Sequence, residues 1–112
     1  MEENAVTADY TYIEDLSSLI ENLPDDSIVS RTFHEDDHTK VVLFGFAKGQ
    51  ELSEHTASHP AILYFLEGHC RLTLGEDDQQ AQPGTWVHMP AQLPHSVHAS
   101  TQARMMLILL RD

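Results

Sequence analysis

Short β-type segments recur along this chain at close intervals, and each ends at glycine, proline or acidic residues. Two of them, residues 27–33 and 40–47, flank a polar stretch and predict a hairpin. Further segments of the same kind lie at residues 61–66, 69–74, 85–89, 95–99 and 104–110. Short strands at such regular spacing predict an all-β sandwich or barrel. Residues 76–78 and 83–84 are predicted to be turns between them.

One segment before the strands has the periodicity of a helix. Four aliphatic residues recur at the spacing of one helix face, namely Leu16, Leu19, Ile20 and Leu23. Because Pro24 ends this run, we predict one short amphipathic N-terminal helix. Residues 1–11 are predicted to form a flexible tail and residues 12–112 a single domain, since 112 residues suffice for one hydrophobic core.

The charge and hydropathy of the chain argue against two classes of partner. It contains 18 acidic and 6 basic residues, for a formal net charge of -12, so no basic stripe is available to neutralise phosphates. We therefore predict no nucleic-acid partner. The longest apolar runs, residues 61–66 and 105–110, are too short to span a bilayer, and the N-terminus lacks a basic-then-apolar leader. A cytoplasmic protein without a membrane partner is expected.

The same two apolar runs have apolar residues on both strand faces, so each strand must be covered on both sides. One face can turn toward a barrel interior. The other needs either the N-terminal helix or a second subunit, and one short helix can hardly cover two adjacent strands. We therefore predict a homodimer, with twofold symmetry as the commonest arrangement.

Two spaced segments between residue 49 and about residue 99 have a family resemblance. Their fixed positions are Gly49, His55, Gly68, Gly84, Pro90 and His95. This frame resembles the two motifs of the cupin superfamily, and in particular its small single-domain members, the conserved-barrel cupins. The resemblance implies a double-stranded β-helix, the cupin jelly-roll barrel, with its site inside the barrel.

The resemblance implies only part of a metal site. In metal-binding cupins the first motif usually supplies two histidines and an acidic residue, and the second motif supplies a third histidine. His55 and His95 match two of these positions, but Ala57 and Ala61 stand at the other two. The second motif also has Gln92 where glycine is common.

His59 is the first candidate to replace a missing ligand. Side chains alternate along a regular strand, so His55, Ala57, His59 and Ala61 would share one face. Four extended steps separate the backbones of the two histidines by roughly 13 Å. Both imidazoles would reach one ion only if the chain bends between them. Pro60 keeps His59 itself extended.

His88 is a candidate fourth ligand, because the strand at residues 85–89 brings it near His95 in a barrel. Its direction stays open, since Val87 and Met89 can take the interior positions and leave His88 as a hydrogen-bonded structural residue. The remaining histidines are predicted to lie outside the site; they are His34, His38, His69 and His98.

Apart from these histidines, the predicted barrel interior is apolar. Its predicted lining residues are Leu63, Phe65, Leu72, Met89 and Val97, with Leu107 as a further candidate. An apolar cavity with a few polar groups is the usual form of a small-molecule site. Neutral imidazoles suit Zn, Ni, Fe or Cu, whereas Mg, Ca and the iron oxygenase triad need a carboxylate that is missing here.

Two functions from different classes fit these residues. One is a small-molecule-binding cupin, in which Ala57 and Ala61 enlarge the pocket. The alternative is a metal-dependent, dioxygenase-like cupin enzyme, in which His55, His59 and His95 hold one transition metal with an open coordination position. A third possibility is a structural protein that uses its outer apolar strands and has a vestigial cavity.

Overall fold

The computed structural model describes residues 9–111; residues 1–8, which form most of the predicted tail, and Asp112 lie outside them. The tail boundary at residue 12 stays a prediction. The described part contains strands β1 (Ile28–Glu35), β2 (Thr39–Phe46), β3 (Glu51–His55), β4 (Ala61–Glu67), β5 (Cys70–Leu74), β6 (Asp77–Ala81), β7 (Trp86–Met89), β8 (His95–Ala99) and β9 (Ala103–Leu110). No helix in this part of the chain is long and apolar enough to cross a membrane.

The strands form two antiparallel sheets. One is five-stranded, with the order β1-β2-β9-β4-β7, and the other is four-stranded, with the order β3-β8-β5-β6. The predicted hairpin is confirmed as β1 and β2, which pair along most of their length. This arrangement confirms the predicted all-β architecture of the jelly-roll type.

Alternating side chains build the core between the two sheets. In β4, Ala61, Leu63 and Phe65 are buried while Tyr64 between them is exposed. Val97 of β8, in the opposite sheet, is likewise buried. Cys70 belongs to the same core, and burial raises the pKa of its thiol to about 11. The thiol therefore packs as a small apolar group.

The sequence analysis missed two strands, β3 and β6. Both lie at the edges of the four-stranded sheet, and their side chains are almost all exposed. The predicted turn over residues 76–78 is wrong at Asp77 and Asp78, which pair with β5. Gly75, with a φ of 63°, and Glu76 make a two-residue hairpin turn on their own. A solvent-facing edge strand has no apolar alternation, so its pattern resembles that of a loop.

The predicted N-terminal helix is reduced to a single 3-10 turn at Leu16–Leu19. The chain becomes extended at Ile20, whose φ and ψ are -133° and 86°. This conformation presents the Ile20 carbonyl to Arg104, which donates to it from Nε at 3.2 Å and from Nη2 at 2.6 Å. Arg104 is buried and also pairs with Glu67. A buried arginine needs such acceptors, so this tertiary contact overrides the helical periodicity.

The N-terminal segment covers part of the outer face of the five-stranded sheet. Ile20 and Leu23 lie over Gly45 of β2, where an added Cβ would be 3.2 Å from Ile20 Cγ2. Leu43, in the same strand, is fully buried. The segment thus covers the β2 side of this face.

Candidate functional site

The two sequence motifs meet at a pair of histidines. His55 of β3 and His95 of β8 are direct cross-strand partners. Their ring centroids lie 4.2 Å apart, and the ring planes are tilted by 54°. His95 is buried, with 7% of its surface exposed, whereas His55 is exposed.

A β-bulge brings His55 into this position. Leu52 pairs with Val97, and the register shifts between Leu52 and His55 so that one extra residue stands in β3. Plain alternation from Leu52 would place Glu54, rather than His55, on the inner face. The bulge re-aims the strand and puts an imidazole where a carboxylate would otherwise stand.

The two histidines make the same local hydrogen bond. Nδ1 of His55 donates to the Ser53 carbonyl oxygen at 2.8 Å, and Nδ1 of His95 donates to the Leu93 carbonyl oxygen at 2.8 Å. A carbonyl oxygen only accepts, so the proton of each neutral ring is on Nδ1. Within residues 9–111 neither Nε2 atom has a hydrogen-bond partner. Each ring therefore keeps an unused lone pair.

Two small cavities, each of about 50 Å³, adjoin this pair. His55, His95 and Leu107 line both. The first cavity, at the barrel mouth, is also lined by Ala57, His59, Ala61, Met89 and Leu93. The second, deeper cavity is also lined by Phe44, Leu52, Leu63, Val97 and Met105. The histidine pair and Leu107 thus separate the interior space into two compartments.

Most of the apolar residues predicted from sequence line these compartments. Met89 lines the mouth cavity, while Leu63 and Val97 line the deeper one. Phe65 and Leu72 are buried in the hydrophobic core but line neither cavity. The sequence analysis did not name Phe44, although its place in the apolar run of β2 was a usable signal.

The other two candidate ligands are both exposed, and they are placed differently. His59 lines the mouth cavity, but it is exposed and its Nδ1 lies 3.1 Å from Ser58 Oγ. His88 is exposed in β7, where its neighbour Met89 takes the buried position. The structure therefore brings His55 and His95 together, keeps His59 at the rim, and directs His88 outward.

The residues around the pair do not fit a resident metal ion. Among residues 9–111, no group of three or more His, Cys, Asp or Glu side chains is placed to hold one. Ala57 and Ala61 line the mouth cavity beside the pair and offer only methyl groups. Zinc sites in proteins use three or four protein ligands, so two imidazoles fall short of even an open catalytic site.

The side chains of the acidic loop between β1 and β2 form hydrogen bonds within the loop itself. His34 Nε2 lies 2.8 Å from Asp36 Oδ2, and Asp36 Oδ1 accepts the backbone N–H groups of His38 and Thr39. These hydrogen bonds, first that from His34, hold the pKa of Asp36 far below its usual range. Neither histidine of this loop lines the two cavities.

Gln92 holds the two motifs together at the barrel mouth. Its backbone has a φ of 70°, in the left-handed region that favours glycine. Its N–H donates to the Ala57 carbonyl oxygen at 2.8 Å. A glutamine in this conformation explains how the chain keeps the turn although the usual glycine is missing.

Comparison with known proteins identifies the family of the chain. Residues 42–110 match the cupin domain family, and this match spans more than half of the chain. The chain therefore belongs to the cupin family. No curated protein matches it.

Solved structures show the same fold along most of the chain. A cupin superfamily protein from Desulfitobacterium hafniense has a TM-score of 0.82 at 24% identity, covering 91% of this chain and 95% of that one. The SPY1581 protein of unknown function from Streptococcus pyogenes has a TM-score of 0.81 at 24% identity, covering 97% and 98%. TT1209 from Thermus thermophilus has a TM-score of 0.77 at 20% identity, covering 88% and 96%. At these identities the likeness shows the fold alone.

Proposed function

We propose that this cupin binds a small molecule in the barrel interior around His55 and His95, and that it does so without a resident metal ion. The supporting observation is the cross-strand histidine pair, which has unused Nε2 atoms beside otherwise apolar cavities. Apolar walls with a few convergent polar groups are the usual form of a small-molecule site. Ala57 and Ala61 add space at the mouth and no metal ligand.

The divided interior limits the size of the ligand. Each cavity measures only about 50 Å³, so a compact ligand can occupy one of them as it stands. A ligand that spans both must displace His55, His95 or Leu107. His55 is the ring to move, because it is exposed and its one hydrogen bond is to Ser53, two residues away.

A fragment screen by thermal shift in the presence of EDTA tests this function. A fragment at 100 times its Kd should stabilise the fold by about 2.7 kcal/mol. Ala61→Leu, which fills the mouth cavity, should abolish the shift. Ala91→Leu makes the same change at an exposed site and should retain it. Shifts that occur only without EDTA would count against the proposal, whereas shifts that survive Ala61→Leu would place the ligand in the deeper cavity, which Ala61 does not line.

We propose further that the protein is a homodimer through the uncovered part of the five-stranded sheet. Two cross-strand rows occupy that outer face. Trp86, Tyr64 and Met106 form one row, and His88, Ile62 and Ile108 form the next. Tyr64 and Trp86 have 37% and 60% of their surface exposed. None of the six is acidic, although the net charge of the chain is -12, so two copies can meet here with few carboxylates facing each other.

A charge placed on this face should separate the subunits. We expect Tyr64→Glu to convert a dimer into a monomer, because a twofold interface would bring two new carboxylates together in an apolar contact. Gln80→Glu adds the same charge at an exposed position of β6 and should leave the dimer intact. Sedimentation velocity measures the change. A monomeric wild type, or a dimeric Tyr64→Glu variant, would contradict this interface.

A further inference from the structure

We infer that the ligand of this pocket is an uncharged small molecule whose hydroxyl group donates to an Nε2 atom of the His55–His95 pair. This inference rests on the proposed function, because it assigns a ligand class to the same pocket. It follows from the hydrogen bonds that each ring already makes and from the residues that line the two cavities.

The backbone fixes which ring nitrogen remains for a ligand. Each Nδ1 donates to a carbonyl oxygen two residues earlier in the chain, at 2.8 Å in both rings. A neutral imidazole has one N–H, so both Nε2 atoms are acceptors. Since the rings are cross-strand partners 4.2 Å apart, the site offers two acceptors side by side and calls for a donor.

The charge around the pair disfavours an anionic ligand. A carboxylate or phosphate only accepts hydrogen bonds, so its oxygens would face lone pairs on both rings. No lysine, arginine, aspartate or glutamate lines either cavity, so a cation would also lack a counter-charge there. The net charge of -12 adds long-range repulsion. An anion would therefore enter this pocket without a partner for its charge.

A pure hydrocarbon fits the walls but leaves the ring nitrogens without partners. His95 is buried, so its Nε2 would lose water when the cavity fills. An unsatisfied buried acceptor costs about 1–3 kcal/mol. A hydroxyl on a small apolar body satisfies the accepting ring and still contacts the apolar lining, which is why a small alcohol suits the site best.

Three matched probes separate these ligand classes. We would titrate 2-fluoroethanol, 1-fluoropropane and fluoroacetate at pH 8 with EDTA, using fluorine NMR. The three share a fluoromethyl group, are small enough for cavities of about 50 Å³, and end in a donor, a methyl or an anion. Fluoroethanol should bind at least about tenfold more tightly than fluoropropane, and fluoroacetate should bind most weakly.

Ring substitutions then assign the preference to the histidines. His55→Phe and His95→Phe retain a ring and remove its nitrogens, and the variant that lacks the accepting Nε2 should reduce the preference for fluoroethanol to within about threefold. Fluoropropane binding should remain in both, and a preference that survives both substitutions would contradict the inference. His55→Phe alters an exposed side chain and stays informative if the buried His95→Phe variant fails to fold. His88→Phe, in the exposed position of β7, serves as the control and should keep the full preference.

The tautomers themselves give a readout that is independent of binding. Long-range proton–nitrogen NMR spectra of the imidazoles should show a protonated Nδ1 and a bare Nε2 in both rings, with the Nε2 signal of the accepting ring shifting when fluoroethanol is added. A protonated Nε2 in either ring would overturn the inference. So would equal binding of fluoropropane, tighter binding of fluoroacetate, or no binding of any probe. The fragment screen with Ala61→Leu then decides separately whether the proposed function survives.

Discussion

The double variant Ala57→His, Ala61→Glu should bind one equivalent of a transition metal ion. Both positions line the mouth cavity beside His55 and His95, so the change offers three imidazoles and a carboxylate to one space. That donor set suits Zn, Ni or Fe. Because even outer-shell partners alter metal affinity by 10–100-fold, two new direct ligands should raise it by at least about 100-fold. Isothermal titration with Zn²⁺ and Ni²⁺ measures the gain.

Two controls make this result specific. Adding His95→Phe to the double variant should weaken the gained site, because only three of its four ligands remain. The metal-free double variant should be less stable than the wild type, since Ala61 is 2% exposed and a carboxylate there is desolvated. Metal should restore that stability. A double variant with the wild-type metal affinity would show that the alanines do not occupy ligand positions.

Gly68→Ala should cost more stability than the same change at any other left-handed glycine of the barrel. Gly68 has a φ of 85°, and an added Cβ would lie 2.7 Å from Ala103 Cα and clash with the Gln102 carbonyl oxygen. These are main-chain atoms of the neighbouring segment and cannot rotate away. We expect a loss above about 4 kcal/mol in the free energy of unfolding, measured by urea denaturation.

The Gly84→Ala variant distinguishes the cost of the close contact at Gly68 from the cost of backbone strain. Gly84 has a φ of 97°, but an added Cβ there would meet nothing within 4 Å. Its variant should lose only the cost of a non-glycine residue in that conformation, about 1–3 kcal/mol. Equal losses at the two positions would mean that φ alone, rather than the contact with residues 102 and 103, explains the glycine of the first motif.

The strands that face the core could be predicted from the sequence, and the others could not. Apolar residues of the core come from β4, β5, β8 and β9, so the sequence of each of these strands shows either alternation or a continuous apolar run. β3 and β6 expose nearly all of their side chains, so their pairing depends on neighbours rather than on their own pattern. The N-terminal helix was wrong because Arg104, far along the chain, requires the Ile20 carbonyl as an acceptor.

The candidate site could be predicted only in part from the sequence. Motif spacing predicted a shared site for His55 and His95, and the two residues are cross-strand partners. Alternation placed Ala57 and His59 on one strand with His55, but β3 ends at His55 and the next residues are irregular. Both still line the mouth cavity. The bulge before His55 and the division of the interior depend on strand register and on Leu107, which no local pattern encodes.

The central claim is that the histidine pair binds a small molecule without metal. The most direct test uses untagged protein purified at near-neutral pH, with metal content and ligand binding measured on the same sample before and after EDTA. The account predicts well under one equivalent of transition metal and one ligand per chain, with a Kd unchanged by EDTA. The claim would be contradicted if the protein held one full equivalent of metal, if removing that metal abolished ligand binding, and if His55→Ala also lost the metal.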